Sequence, residues 1–281
     1  MATISTNHVQ LNTLLSIDTV DKFRRSLDDL RALLDGADFQ ILAPGTNLQT
    51  LTSAGTVQDG IVAENTAITA STYAITAAAK TLTFKKWLAK TSIEEIARRG
   101  YEAAVSATDD KLVKDVQKIL VGDIFTGIST GATGTAAGVG LQATCADAWA
   151  ALGTACENES ATPVFFVGYD AAADWLASSN VVPSGNLWGL RVFKDWMGLG
   201  TLIISSQVPA NTVWCTAMEN LVIAAADVSG ITDFGLVQDE LGIFAVGHEG
   251  EKDTASVDTF VYSGLSVFPL YADRFIVGTI S

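Results

Sequence analysis

Val20, Phe23, Leu27, Leu30 and Leu34 recur at spacings of three, four, three and four residues, which makes one face apolar over two heptads. Asp21, Lys22, Arg24, Arg25, Asp28, Asp29 and Arg31 fill the other face. The pattern predicts an amphipathic helix that begins at Ser16, after a polar tail over residues 1–15. It ends at Asp35-Gly36, where glycine accepts the left-handed conformation of a C-terminal cap. Two heptads are too few for an autonomous coiled coil, so the stripe docks either on the chain's own core or on another subunit.

The period then shortens to two. Tyr73 and Ile75 alternate with Thr and Ala, and Leu82 and Phe84 alternate with Thr81, Thr83 and Lys85, as in half-exposed strands. Pro44-Gly45 and Asp59-Gly60 mark turns between them. Ser92 to Glu95 reads as a capping box that starts a helix, which Gly100 interrupts. A long helix follows, with Leu112, Val113, Val116, Ile119, Leu120 and Ile124 on one face. Lys111, Lys114, Asp115 and Lys118 lie on the other, and the helix runs to about Gly127. Residues 127–140 read as a Gly/Ala/Thr-rich loop. Next come helix 142–155, strand 163–167, helix 170–177 and a loop holding Trp188, Phe193 and Trp196. That aromatic loop packs on its own domain or marks a subunit contact. Strands 201–205, 212–217 and 220–225 follow, and further strands fill 243–281. The reading is α+β, with no repeat and no long linker.

Composition adds one feature to this outline. Residues 32–79 contain no Lys or Arg and only four acidic residues, yet they carry strand-forming alternation. A long hairpin with thin apolar faces cannot bury itself against itself, so it needs another surface. Only 17% of residues are charged, below the roughly 25% of ordinary soluble domains, while 48% are hydrophobic. Such a chain buries much surface per residue, internally or between copies.

The net charge of −14 is uneven: residues 1–118 hold 13 basic and 14 acidic residues, and residues 119–281 hold 4 and 17. The acidic C-terminal part disfavours nucleic-acid reading. No apolar run approaches the ~18 residues of a membrane span, and residues 1–10 lack the pattern of a signal peptide. Cys145, Cys156 and Cys215 form no CxxC pair and read as reduced, mostly buried thiols.

Catalytic constellations are poorly supplied. His8 and His248 are the two histidines, and the HEGEKD segment lacks the second histidine of HExxH, so it reads as a solvated loop. There is no GxSxG elbow and no P-loop. Gly138 to Ala143 matches GxGxxA, but the preceding TGATGTAA does not read as the strand that a dinucleotide site requires. The expectation is a protein that is not an enzyme and uses no cofactor or metal.

The order of elements resembles a known family. An amphipathic helix, a long hairpin and a long cationic helix precede an α/β region ending in LIISSQVPANTVWCTAMENLVIAAAD, and terminal strands close the chain. Residues 92–128 and 202–227 carry the likeness best. The chain resembles the major capsid proteins of tailed bacteriophages, with the Hong Kong 97-type shell fold. The resemblance implies an N-terminal arm over 1–36 and an extended loop over 37–88. It also implies a peripheral domain of 89–135 with 228–281, and an axial domain of 136–227.

It further implies self-assembly, through pentamers and hexamers, into an icosahedral head enclosing DNA without sequence-specific contacts. The setting would be the virion, with assembly in the host cytoplasm, no membrane, and scaffold, portal and decoration proteins as further partners. Loop 183–199 would lie near the capsomer centre and loop 249–256 near threefold axes. Candidate intersubunit residues are Val20, Phe23, Leu27, Leu30, Leu34, Tyr73, Ile75, Leu82, Phe84, Trp188, Phe193 and Trp196. Two departures stand out: no long scaffolding segment precedes the arm, and the loop has no lysine before Lys80 for crosslinking. An encapsulin-like compartment shell and a β-rich binding protein remain alternatives.

Overall fold

Ser92 does what the capping box predicts. Its hydroxyl accepts from the Glu95 backbone N–H at 3.3 Å and starts helix α2 (Ile93–Arg99), which Gly100 ends at φ +87°. The computed structural model describes residues 11–24, 37–55, 58, 60–129, 132–156, 159, 161–178, 185–187, 190–230, 236–251 and 253–281. Before α2 come helix α1 (residues 11–24) and strands β1 (Asp38–Leu42), β2 (Asn47–Gly55), β3 (Tyr73–Thr81) and β4 (Lys85–Ser92). After it come α3 (Tyr101–Ser129), β5 (Gly134–Gly138), α4 (Gly140–Ala155), β6 (Pro163–Val167) and α5 (Tyr169–Ser178). Strands β7 (Gly185–Leu187), β8 (Leu190–Trp196), β9 (Gly200–Ile204), β10 (Thr212–Ala217) and β11 (Leu221–Ala226) follow. The chain closes with β12 (Val237–Gln238), β13 (Phe244–Glu251), β14 (Ser256–Ser263), β15 (Leu265–Pro269) and β16 (Phe275–Ile280).

Helix α3 has 29 residues, about 43 Å of rise, and it organises the molecule. Its buried stripe includes Val113, Val116, Leu120, Ile124 and Ile128. On one side lies a mixed seven-stranded sheet in the order β5-β16-β10-β6-β9-β8-β7. Phe125 meets Phe166 of that sheet edge-on, with ring centroids 5.6 Å apart. The sheet's other face is covered by α4, whose Leu141, Cys145, Ala148 and Leu152 repeat at helical spacing and are buried. A three-stranded sheet, β1-β11-β15, and a four-stranded antiparallel sheet, β12-β13-β14-β4, complete the body. Gly127 lets α3 lie against β15, since a Cβ there would meet the Val267 carbonyl oxygen at 2.0 Å.

Several expectations change. Helix α1 is already formed at Leu11, inside the expected tail, where Leu11 and Leu15 extend its apolar face against Val105 and Val257. The stretch read as a loop over 127–140 contains β5, a run of small residues with no apolar alternation, which becomes a strand by pairing in parallel with β16. Gly138 ends it at a close approach to α4, where a Cβ would lie 2.6 Å from the Thr144 nitrogen. The expected aromatic loop contains β8, paired antiparallel with β9. Strand pairing links the region 136–227 to the C-terminal strands, since β11 pairs with β15 and β10 with β16.

Candidate assembly surface

Strands β2 and β3 form a two-stranded sheet over Asn47–Gly55 and Tyr73–Thr81, joined to the body by a bridge from Leu51 to Tyr271. Of β3, every residue except Lys80 is exposed, so the β3 side of the ribbon lies open along its length. Tyr73 and Ile75 are 63% and 69% exposed, and in the stretch joining the strands Ile61 and Ile68 are 91% and 82% exposed. A two-stranded ribbon of this kind is marginal in water, and its large apolar side chains stand ready for a foreign surface.

The root of the ribbon, by contrast, is tied down. Leu48, Thr50 and Leu82 are buried, and the Leu51 N–H donates to the Leu270 carbonyl at 2.7 Å. Lys80 Nζ donates to the Gly127 carbonyl oxygen at 2.5 Å, placing a cation at the C-terminal end of α3. Burial lowers the Lys80 pKa from its ordinary value. At the next strand, Lys85 pairs with Asp123 of α3 at 2.5 Å. The ribbon is thus a lever with an exposed tip and a fixed base.

The other expected interface residues divide differently. Val20 and Phe23 are buried in the chain's own core, where Phe23 stacks on Phe244 with ring centroids 3.7 Å apart. Leu27, Leu30 and Leu34 lie outside the described residues. Leu82 is buried at the ribbon root and Phe84 is half-buried, stacked on Tyr262 at 5.8 Å. Phe193 and Trp196 are also buried, packed with Trp175 in an aromatic cluster, so local packing takes them. Trp188 lies outside the described residues. Sequence reading missed exposed apolar side chains on the outer face of α1, Leu14 and Ile17, and Leu88 on β4. Leu14 and Ile17 sit three residues apart, a signal hidden by starting the helix pattern at Ser16.

Helix α1 is held by a buried polar chain. The Ser16 hydroxyl donates to the Asn12 carbonyl at 2.9 Å, and its oxygen lies 2.6 Å from His248 Nδ1. His248 Nε2 lies 2.9 Å from Asp109 Oδ2, and Thr259 Oγ1 donates to Asp109 Oδ1 at 2.9 Å. Tyr101 donates to Asn12 Oδ1. The His248 side chain is fully buried, which corrects the solvated-loop reading. The residue types are those of a hydrolytic triad, but Ser16 is buried and its hydroxyl donates to the Asn12 carbonyl, so the chain of bonds acts as a clamp. Among the described residues no group of three or more His, Cys, Asp or Glu is placed to hold a metal. No helix there is long and apolar enough to cross a membrane.

No protein-family model and no curated protein sequence matches this chain. Solved structures do match. The chain is similar to a virus-like particle from Pyrococcus furiosus at 14% identity and TM-score 0.53, covering 95% of this chain and 97% of that one. It is similar to the holo-SrpI encapsulin complex from Synechococcus elongatus PCC 7942 at 14% identity and TM-score 0.53, covering 89% and 86%. The cyanophage A-1(L) capsid matches at 15% identity and TM-score 0.53, covering 86% and 89%. The fold is the α+β Hong Kong 97-type fold shared by viral and encapsulin shells.

Proposed function

We propose that this chain is the major capsid protein of a tailed bacteriophage, a non-enzymatic subunit that assembles into an icosahedral head around the phage genome. The ribbon β2–β3 carries the reading: its root is tied to the body, while its tip is apolar and exposed. A neighbouring copy supplies the missing surface, and contacts of one surface with a different one close into rings of five and six. In this reading residues 1–36 are the arm, 37–88 the loop over the neighbour, 89–135 with 228–281 the peripheral domain and 136–227 the axial domain. Scaffold, portal and decoration proteins would complete the head.

The equal likeness to an encapsulin supports a second reading, a compartment filled with protein cargo. Expression of the chain alone, followed by light scattering and negative-stain electron microscopy, tests both. Closed shells, tubes, or discrete pentamers and hexamers are expected. A monomer that persists at high concentration with a protease-resistant ribbon would overturn the shell reading. Particles purified from the natural source then separate its two forms, since a phage head protects DNA from nuclease and an encapsulin encloses protein.

A further inference from the structure

Lys114 and Lys118 sit one turn apart on the exposed side of α3 and make no ion pair among the described residues. Lys22, Lys85, Lys90, Lys111 and Arg274 all pair with carboxylates. Like charges four residues apart on a helix repel, so an unpaired lysine pair is a local cost that a bound anion removes. The two lysines border a cleft of about 450 Å³ whose opposite wall is Tyr169, at the start of α5, together with Ser206 and Gln207 in the turn after β9. Val121 and Leu190 provide apolar lining.

Among the described residues no Asp or Glu lines this cleft, although the chain has 31 acidic and 17 basic residues. Its polar groups are two ammonium groups, which can only donate, with a phenol, two hydroxyls and two amides of types that can donate. The positive end of the ten-residue α5 dipole lies at the same wall. Asp170, in the first turn of α5, is not among the lining residues.

We infer that this cleft binds a phosphate-type oxyanion and that in the filled shell the ligand is the phosphodiester backbone of enclosed nucleic acid. The assignment rests on the shell reading for the source of the phosphate, but not for the site. Paired lysines hold phosphate as point charges without reading sequence. The chain's net charge of −14 repels phosphate, so contact with the polymer is confined to such points and the wall touches its contents sparsely. The α3 face bearing the two lysines then looks toward the lumen.

Amine acetylation of the full-length chain, in whatever assembly it forms, read by mass spectrometry, tests this. Short duplex DNA should protect Lys114 and Lys118 several-fold and leave exposed Lys86 unchanged. The double variant Lys114→Gln/Lys118→Gln should bind that DNA more weakly, with the slope of log K against log salt reduced by about 2. Its melting temperature and sedimentation should match the parent, which separates lost binding from misfolding. Protection by inorganic phosphate without any by DNA would uphold the oxyanion site and assign it to the free ion. Protection by neither, protection better with a glutamate-rich peptide, or an unchanged salt slope would overturn the inference. Shells without protection defeat this site alone, whereas protection on a chain that never assembles defeats the shell reading alone.

Discussion

At His248 a ring buried on every side bonds α1 through Ser16 and α3 through Asp109. Removing the ring leaves Asp109 Oδ2 and the Ser16 oxygen short of a partner, and each stranded buried group costs about 1–3 kcal/mol. His248→Ala should therefore destabilise the chain by about 3 kcal/mol and expose residues 11–24 to protease before the body unfolds. Urea midpoints and limited proteolysis read these separately; a normal midpoint with an intact α1 would show that the clamp carries no load. The residue was misread because its neighbours in HEGEKD are polar, while its partners lie 139 and 232 residues away. The thiols were read correctly as buried. Burial raises Cys145 from an ordinary 9.0 to about 12, and raises Cys215 as well. The folded state keeps a proton that the unfolded chain releases, so this stability is complete below the ordinary value and is lost as pH rises through the folded one. Between about pH 8 and about pH 11 the parent should lose more stability than Cys145→Ala, in paired denaturant titrations. Equal losses would place the alkaline sensitivity elsewhere.

Elements whose own residues decide their state were legible. Strands β6 and β10 fall on the expected residues, because short fully apolar runs bounded by polar or turn residues fit only a central strand. The capping box before α2 was equally local, as was the α3 stripe at Val113, Val116, Leu120 and Ile124, although the expected Ile119 is exposed. Strand β5 was not, since GTAAG holds its shape only through β16, far along the chain. Strand β8 was hidden because its bulge between Phe193 and Trp196 breaks the alternation. The ribbon was legible as a ribbon, but which residues its root would bury was not: Leu82 fits the same alternation as Ile75 and yet lies in a satellite core. That difference is testable. Ile75→Asp changes an exposed position, so subunit melting should move within about 0.5 kcal/mol of the parent. Assembly should nevertheless fail or need many-fold more protein, because a charge would enter the interface with a neighbour. Leu82→Ala should instead destabilise the subunit itself by about 2–5 kcal/mol. Sedimentation and thermal melting on the same samples separate the two. Normal shells from Ile75→Asp would remove the ribbon tip from the assembly surface.

For the whole molecule, the order of elements pointed to the fold, whereas the partition of strands among sheets did not follow from it. β11 and β16 cross between regions that a linear division keeps apart, because long-range pairing is set by core packing and leaves no local mark. Charge, however, is a property the sequence states outright, and it governs how copies meet. The chain carries −14, with an isoelectric point near 4.4, so in the proposed shell bringing many copies together raises a repulsion that the proposed ribbon contacts have to exceed. That repulsion acts through solvent over about 10 Å at 0.1 M salt and about 3 Å at 1 M. Apolar burial is not screened in this way. If the ribbon tip and the outer face of α1 supply the attraction, the lowest protein concentration that yields shells should fall as sodium chloride rises from about 0.05 to about 0.5 M. Were ion pairs the principal attraction, the same titration would raise it. Light scattering against protein concentration at each salt decides the sign, and Ile75→Asp should shift the whole curve upward without reversing its slope.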